Sequence, residues 1–330
     1  MSFPKILAFM TIILFGGIFV ASLVKKNSEG VASDSQRENS VVIDLEDEGT
    51  EPLANEGEGR QIEGIVYSDE DLPDADRIEE IFSVGASSLS LVKTITYTSR
   101  VSWVKGRPAW IADYATHYKT SRYFISRSLT GEKDYFAHSI VNGDRFNVYD
   151  PDKDIAFHLV VDTSRFKMWL YYVDMNNKET VLLKRYDVGL GRRDDKRTSG
   201  SLTPHGVYSL GYKVALYKPG VKGYFNHKKI EMIRVFGTRW IPFEKEIKGC
   251  TASAKGLGLH GVPWRFDETK KGYDEYVESI GEYDSDGCIR MNTADVEELF
   301  SIIITKPSYI QLVSDFYKAD ISAVENLEIR

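Results

Sequence analysis

The 330-residue chain has only two cysteines, Cys250 and Cys288. A disulfide scaffold needs a dense, even set, so that class is excluded and at most one bridge is available. Histidine is scarce as well. His117, His138, His158, His205 and His227 are scattered without the spacing of metal ligands, so no metal centre is expected from them. Gly189-Leu190-Gly191 is too short for a phosphate loop, and no strand, loop and helix with a Walker lysine follows it. Internal repeats are absent. No cofactor and no nucleic-acid partner are expected.

Hydrophobic residues make up 42% of the chain and aromatics 12%, enough to bury a sizeable core. The length suits about two domains with appendages. The net charge of -7 hides an uneven distribution. Residues 29–80 hold 18 Asp plus Glu against three Arg and no Lys, which leaves the rest of the chain basic. Ile6 to Val24 is an uncharged run of 19 residues flanked by Lys5, Lys25 and Lys26. That length spans a bilayer core as a helix, so residues 1–26 are expected to be a transmembrane anchor. A signal peptide cleaved near Val20-Ala21-Ser22 is the alternative. The balanced flanking lysines leave the orientation open. Residues 27–78 are too acidic and too poor in aromatics to order themselves, and they read as a solvated linker.

The globular part divides in two. Over 79–150 the pattern reads strand, helix, helix, strand. Tyr97 to Trp103 alternates, and Pro108 to Tyr114 opens a helix with proline near its first turn. Thr120 or Ser121 caps a second helix, and Arg145 to Tyr149 closes as a strand. From Phe157 the chain turns β-rich. Phe157 to Asp162, Lys167 to Val173 and Thr180 to Gly189 read as strands, with a turn at Asn176-Asn177. Asn292-Thr293 caps a helix with Val296, Leu299, Phe300 and Ile303 on one face, Pro307 ends it, and Tyr309 to Val313 is a last strand. Residues 315–330 form a tail. The fold class is mainly β with some α (α+β).

The chemistry concentrates in Ser285-Asp286-Gly287-Cys288-Ile289-Arg290-Met291 and, upstream, Leu259-His260-Gly261-Val262-Pro263-Trp264. A thiol with a pKa near 8.5 needs a base beside it to attack at neutral pH, and His260 is the candidate. Gly287 lets the backbone approach closely, so that N–H groups near Cys288 can face a developing oxyanion. Arg290 shares a strand face with Cys288. It suits either a substrate carboxylate or a structural ion pair. Cys250 reads as a buried or disulfide-capable thiol.

These residues resemble the YkuD-type L,D-transpeptidase catalytic domain, which has a His-Gly strand followed by Ser-x-Gly-Cys-x-Arg/Asn. The pattern maps to His260, Gly261, Ser285, Gly287, Cys288 and Arg290. Thr203-Pro204-x-Gly206, Trp240-Ile241-Pro242-Phe243 and Ser279-Ile280-Gly281 fit as well. The resemblance covers 155–314 and implies a curved β-sandwich-like fold with one packed helix. It implies a cysteine acyltransferase acting on peptidoglycan stem peptides, with Cys288 as nucleophile and His260 as base. Gly261 would orient the imidazole through its carbonyl. Gly287 and Ser285 would shape the oxyanion region, and Arg290, Trp264 and Trp240 would line the substrate site. The domain would lie in the periplasm or cell-wall space, anchored in the inner membrane. Two departures stand out. Asp286 sits where the family usually has His or Arg, and a charged insertion, Arg265 to Glu278, suggests a lid. Residues 79–150 resemble a divergent LysM module, which implies glycan binding. A small packing domain with Trp103 and Trp110 in its core is the other reading. The competing functions are a non-catalytic wall-binding protein, an L,D-carboxypeptidase, and a cysteine peptidase of another fold. Papain-like enzymes place Cys before His, the reverse of the order here.

Overall fold

The computed structural model describes residues 41–42, 72–85, 89–131, 140–216, 218–225 and 228–323. The expected anchor, Ile6 to Val24, lies outside them, as do His138 and His227. Among the described residues no helix is long and apolar enough to cross a membrane.

Eight strands close on themselves. Around the ring run Gly258–Gly261, Ile289–Met291, Glu179–Gly191, Lys167–Asp174, Ile155–Asp162, Ser308–Val313, Gly206–Leu210 and Arg239–Lys248. The last of these pairs back with the first. The expectation of a curved β-sandwich is met by a sheet curled to closure, which leaves these strands no free edge. Ile155–Asp162 is a near-continuous apolar run, the pattern of a strand covered on both faces, and all eight residues are buried. Phe157, Leu159 and Val161 enter the main core with Met168, Leu170 and Tyr172. Val160 turns the other way and packs with Trp169, Tyr171, Phe316 and Leu72.

That outer cluster corrects the reading of residues 72–78, the end of the expected linker. Leu72 is buried, Trp169 Nε1 donates to the Pro73 carbonyl at 2.7 Å, and the Arg77 N–H donates to the Leu183 carbonyl at 2.8 Å. Val41–Val42 pairs parallel with Gly223–Tyr224. These are apolar points in an acidic stretch, and each finds a sheet to join.

The helix Thr293–Ile303 buries Val296, Leu299, Phe300 and Ile303, as their spacing predicts. Asn292 is at its N-cap position, but its side chain makes no capping bond.

The strand, helix, helix, strand order upstream is present with shifted ends. The first strand is Val92–Thr96, not Tyr97 to Trp103. The first helix is Ile111–His117, with Trp110 at its N-cap rather than Pro108 in its first turn. Aromatics that read as strand formers instead fasten a loop to this helix. Tyr97 Oη donates to the Ala109 carbonyl at 2.6 Å, and Tyr114 Oη donates to the Thr98 carbonyl at 3.0 Å. Ser121 caps the second helix, Arg122–Thr130, by accepting from the Phe124 N–H at 3.0 Å. Arg145–Tyr149 pairs with Val92–Thr96. Trp103 and Trp110 are 39% and 57% exposed, so neither is a core residue.

This unit also shares its core with the sheet. Phe124 and Tyr149 belong to the same cluster as Phe157 and Phe300. Tyr149 Oη donates to the Ile302 carbonyl, and Ser121 Oγ reaches the Ser301 carbonyl at 3.4 Å.

Candidate active site

Cys288 stands at the entrance to the short strand Ile289–Met291. Gly287 before it has φ +118°, a conformation L side chains rarely adopt. A Cβ there would come within 2.9 Å of both the Leu202 carbonyl oxygen and Leu257 Cδ2. Two hydroxyls hold this turn. Ser285 Oγ donates to the Cys288 carbonyl at 2.6 Å and accepts from the Gly287 N–H at 3.2 Å. Thr203 Oγ1, fully buried, donates to the Gly287 carbonyl at 3.0 Å and accepts from the Gly191 N–H at 2.7 Å. Sequence reading noted Thr203 only as part of a turn; its clamp on Gly287 joins segments 84 residues apart. Thr203→Val would strand two buried backbone groups at about 1–3 kcal/mol each. We expect Tm to fall by about 5 °C or more, and turnover with it, as the cysteine turn loosens. Unchanged melting and unchanged turnover would show that the clamp is idle.

The partner strand is Gly258–Gly261. It runs parallel to Ile289–Met291, with Leu259 opposite Ile289, His260 opposite Arg290 and Gly261 opposite Met291. Alternation then sorts the side chains. Leu259, Ile289 and Met291 enter the main core. His260, Arg290 and, one pair back, Cys288 fall on the other face. Phe236 and Trp240 wall that face. Phe236 meets the His260 ring edge-on at 5.4 Å and Trp240 lies 6.0 Å away, centroid to centroid. Cys288 packs against the same apolar cluster, which includes Leu216 and Met232. Its Sγ is 3.7 Å from the Gly256 carbonyl.

His260 is 4% exposed, and its Nδ1 lies 2.7 Å from the Gly261 carbonyl. A carbonyl only accepts, so Nδ1 carries the proton and Nε2 keeps a lone pair. Burial pushes the imidazole down to about 4; the Gly261 carbonyl pulls it back up, and the Arg290 charge pushes it further down. Burial pushes the Cys288 thiol up to about 12, with the Gly258 N–H and Arg290 lowering it and Asp286 raising it. Both groups therefore rest neutral.

The remaining site candidates sort as follows. Arg290 Nη1 is 2.5 Å from Asp284 Oδ2, so it has an ion-pair partner, while its buried Nε finds no acceptor among the described residues. Asp286 is exposed and pairs with Arg192, yet its charge still raises the Cys288 thiol. Trp240 is 3% exposed and serves as wall rather than open platform, because Phe236 and His260 pack on it. Trp264 opens the hairpin of Trp264–Asp267 and Gly272–Glu275, which accounts for the charged insertion. Its buried Nε1 has no partner among the described residues. Tyr273 Oη on this hairpin bonds Glu231 on a second hairpin, Lys222–Phe225 with Lys228–Glu231. Val221 and Ile230, at the second hairpin, pack on the cluster that holds Cys288. Cys250 is a free thiol that donates to the Val207 carbonyl at 3.1 Å. His158 is buried with Nδ1 3.3 Å from the Ile321 carbonyl, His205 Nε2 lies 3.1 Å from Thr163 Oγ1, and His117 stacks on Trp103.

Residues 156–310 match the family model of the L,D-transpeptidase catalytic domain, YkuD. That span holds every residue of the face just described. The chain is 31% identical over 121 residues to the curated protein "Putative L,D-transpeptidase YqjB" of Bacillus subtilis (strain 168). The match covers 36% of this chain and 53% of that protein, so the chain spans about half the length of the curated relative. Among solved structures, the helical cell shape determining protein Pgp2 of Campylobacter jejuni aligns at TM-score 0.34 and 17% identity over 53% of each chain. Bd1075 of Bdellovibrio bacteriovorus aligns at TM-score 0.31 and 15% identity over 48% of each. Within the YkuD span, the sheet supplies the residue face and the two hairpins supply its surroundings.

Proposed function

We propose that the chain is a peptidoglycan L,D-transpeptidase with Cys288 as nucleophile and His260 as general base. The observation that carries this reading is the single-face placement of Cys288 and His260, with His260 Nδ1 committed to a carbonyl and Nε2 left with a lone pair. In the first step Nε2 takes the thiol proton as Sγ attacks the stem-tetrapeptide carbonyl that precedes the terminal D-alanine. The Cys288 N–H has no backbone acceptor among the described residues, which suits it to the oxyanion. The imidazolium then protonates the departing amine, D-alanine leaves and a thioester remains. In the second step an amine of another stem attacks the thioester, and its proton passes through His260 to the cysteine sulfur. A peptide crosslink forms and the thiol is restored. Burial keeps His260 neutral, the charge of Arg290 adds to that, and Arg290 is itself tied to Asp284.

The test is the full-length chain with a disaccharide-tetrapeptide, its products read by mass spectrometry. A crosslinked dimer that has lost one D-alanine is expected. Tripeptide without dimer would make water the acceptor and the enzyme an L,D-carboxypeptidase. No product at all would sink both readings and leave a wall-binding protein.

The upstream unit gives this enzyme a grip on the glycan of the same polymer. Trp110 is 57% exposed, with the Arg107 guanidinium 5.8 Å from its ring, and Trp103 is 39% exposed. Flat, exposed indoles suit the apolar faces of sugar rings. Trp110→Ala is expected to weaken retention on intact sacculi several-fold without lowering Tm, and equal retention would remove the glycan role. With Ile6 to Val24 as the anchor, the catalytic face would work on the wall side of the membrane.

A further inference from the structure

Arg239 opens the strand whose next residue, Trp240, lies opposite His260. It is an arginine only 1% exposed, and its buried partner is Glu297 of the helix Thr293–Ile303, Nη1 to Oε1 at 3.8 Å. The same guanidinium lies 5.1 Å from the Phe300 ring, about one turn further along that helix. Two charges taken out of water are a poor device for stability, since well-packed apolar residues of similar volume often do as well or better. What the pair holds is a turn beside the His260 strand. Arg239 Nη1 donates to the Thr238 carbonyl at 2.7 Å, and that carbonyl also accepts from the Leu216 N–H at 2.8 Å.

The turn at Gly237-Thr238 bears directly on Gly261. Gly237 has φ +57°, and a Cβ there would come within 2.6 Å of the Val262 carbonyl oxygen and 2.8 Å of the Gly261 carbonyl carbon. A Cβ on Gly261 would in turn meet Val296 Cγ1 at 3.2 Å and the Thr238 nitrogen at 3.3 Å. The Gly261 peptide is thus packed against the turn and against the helix residue next to Glu297. Just beyond it, the Val262 N–H donates to the Met291 carbonyl at 2.8 Å. The Gly261 carbonyl is the group that accepts from His260 Nδ1, at 2.7 Å. Close packing leaves it no room to swing while the turn and the helix stay joined, and the Arg239–Glu297 pair joins them.

We propose that Arg239 and Glu297 are positioning residues for the His260 base. By tying the Gly237-Thr238 turn to the helix they fix the Gly261 carbonyl, and through it the Nδ1-protonated tautomer that leaves Nε2 its lone pair for the thiol proton. The inference rests on the transpeptidase reading and deepens it. An imidazole that loses its orienting acceptor turns or changes tautomer, and an Nε2 that already carries a proton cannot act as base.

The test uses the full-length chain with isotopically labelled histidine, as wild type, Glu297→Gln, Arg239→Lys and the double variant Arg239→Met/Glu297→Leu. The ring-nitrogen chemical shifts of His260, assigned by their loss in His260→Gln, report the tautomer at neutral pH. The wild type is expected to hold the Nδ1–H form alone. The double variant is expected to keep Tm equal or higher, because packed apolar chains replace the charges, and yet to show a mixture of tautomers. Its kcat on disaccharide-tetrapeptide should fall about 10- to 100-fold with KM within about 2-fold, the cost of a misplaced base. Glu297→Gln, which keeps the shape, should move kcat and tautomer in the same direction. Arg239→Lys, which keeps the charge and a donor, should lose less than the double variant. A single Nδ1–H form with wild-type kcat in the double variant overturns the proposal. So does a fall in Tm and kcat with the tautomer unchanged, since the pair would then serve only the fold. Should the double variant not fold, Glu297→Gln decides by the same two readouts. Should the wild type show no turnover, the transpeptidase reading fails by itself and the tautomer decides the positioning role. A mixture in the double variant then supports it, and a single Nδ1–H form overturns it.

Discussion

Replacing Cys288 by alanine is expected to lower kcat/KM by about 10⁴-fold or more, with the fold intact. Effects of this size follow when the nucleophile of a covalent mechanism is removed and only binding and oxyanion stabilisation remain. The structure gives a reason to expect an intact fold. The turn around Cys288 is held by the Ser285 and Thr203 hydroxyls acting on backbone groups, not by the thiol. The thiol's hydrogen bond to the Gly256 carbonyl is long, 3.7 Å. Circular dichroism and melting of the variant should therefore match wild type while crosslinked product disappears. Cys250→Ala provides the contrast. Its thiol bonds the Val207 carbonyl away from the His260 face, and turnover should stay close to wild type. Substantial turnover by Cys288→Ala would remove the covalent mechanism altogether.

The second large effect concerns His260. Its replacement by glutamine is expected to cost about 10²- to 10⁴-fold in kcat/KM, the usual contribution of a positioned general base. The pH profile should separate a base from a partner in a preformed ion pair. His260 rests neutral down to about pH 4, and Cys288 holds its proton up to about 12. The proton-accepting form of His260 thus predominates above pH 4, so the acid limb of kcat/KM should lie near 4 and the plateau should cross neutrality. An acid limb near 6.5 would mean an ordinary, solvated imidazole.

Stability should carry the same signature. The folded His260 and His158 are both held down to about 4, whereas an unfolded histidine titrates near 6.5. Between those values the unfolded chain binds more protons, so stability is full above about pH 6.5 and falls as pH drops toward 4. Each group contributes on the order of 3 kcal/mol to that loss. Melting of His260→Gln across this window should show a shallower decline than wild type.

Much of the site was legible because its signal is local. Gly287 before Cys288 marks a turn, and the two-residue step from Cys288 to Arg290 marks a shared strand face. The helix face of Val296, Leu299, Phe300 and Ile303 was readable from its period for the same reason. What escaped depends on contacts between distant segments. Nothing near Thr203 reveals that its hydroxyl will hold the Gly287 carbonyl. That Asp286 is unfavourable to the thiol was readable from its place beside Cys288, and it does raise it; its partner Arg192, 94 residues away, was not readable. Tyr97 to Trp103 alternates like a strand, yet its aromatics are drawn to the helix Ile111–His117, and the strand forms at Val92–Thr96 instead. Leu72 and Pro73 could not be told from their acidic surroundings, because what orders them is Trp169 on a strand nearly a hundred residues further on.

The central claim is that the Cys288 sulfur becomes acylated by a stem peptide. The most direct measurement is the intact mass of the full-length chain, mixed with disaccharide-tetrapeptide in the absence of an acceptor amine and quenched within one turnover. The account predicts an adduct of the stem less its terminal D-alanine, mapped to Cys288, with one D-alanine released per adduct and neither seen with Cys288→Ala. An unmodified Cys288 while D-alanine is released, or equal release by the alanine variant, would contradict it.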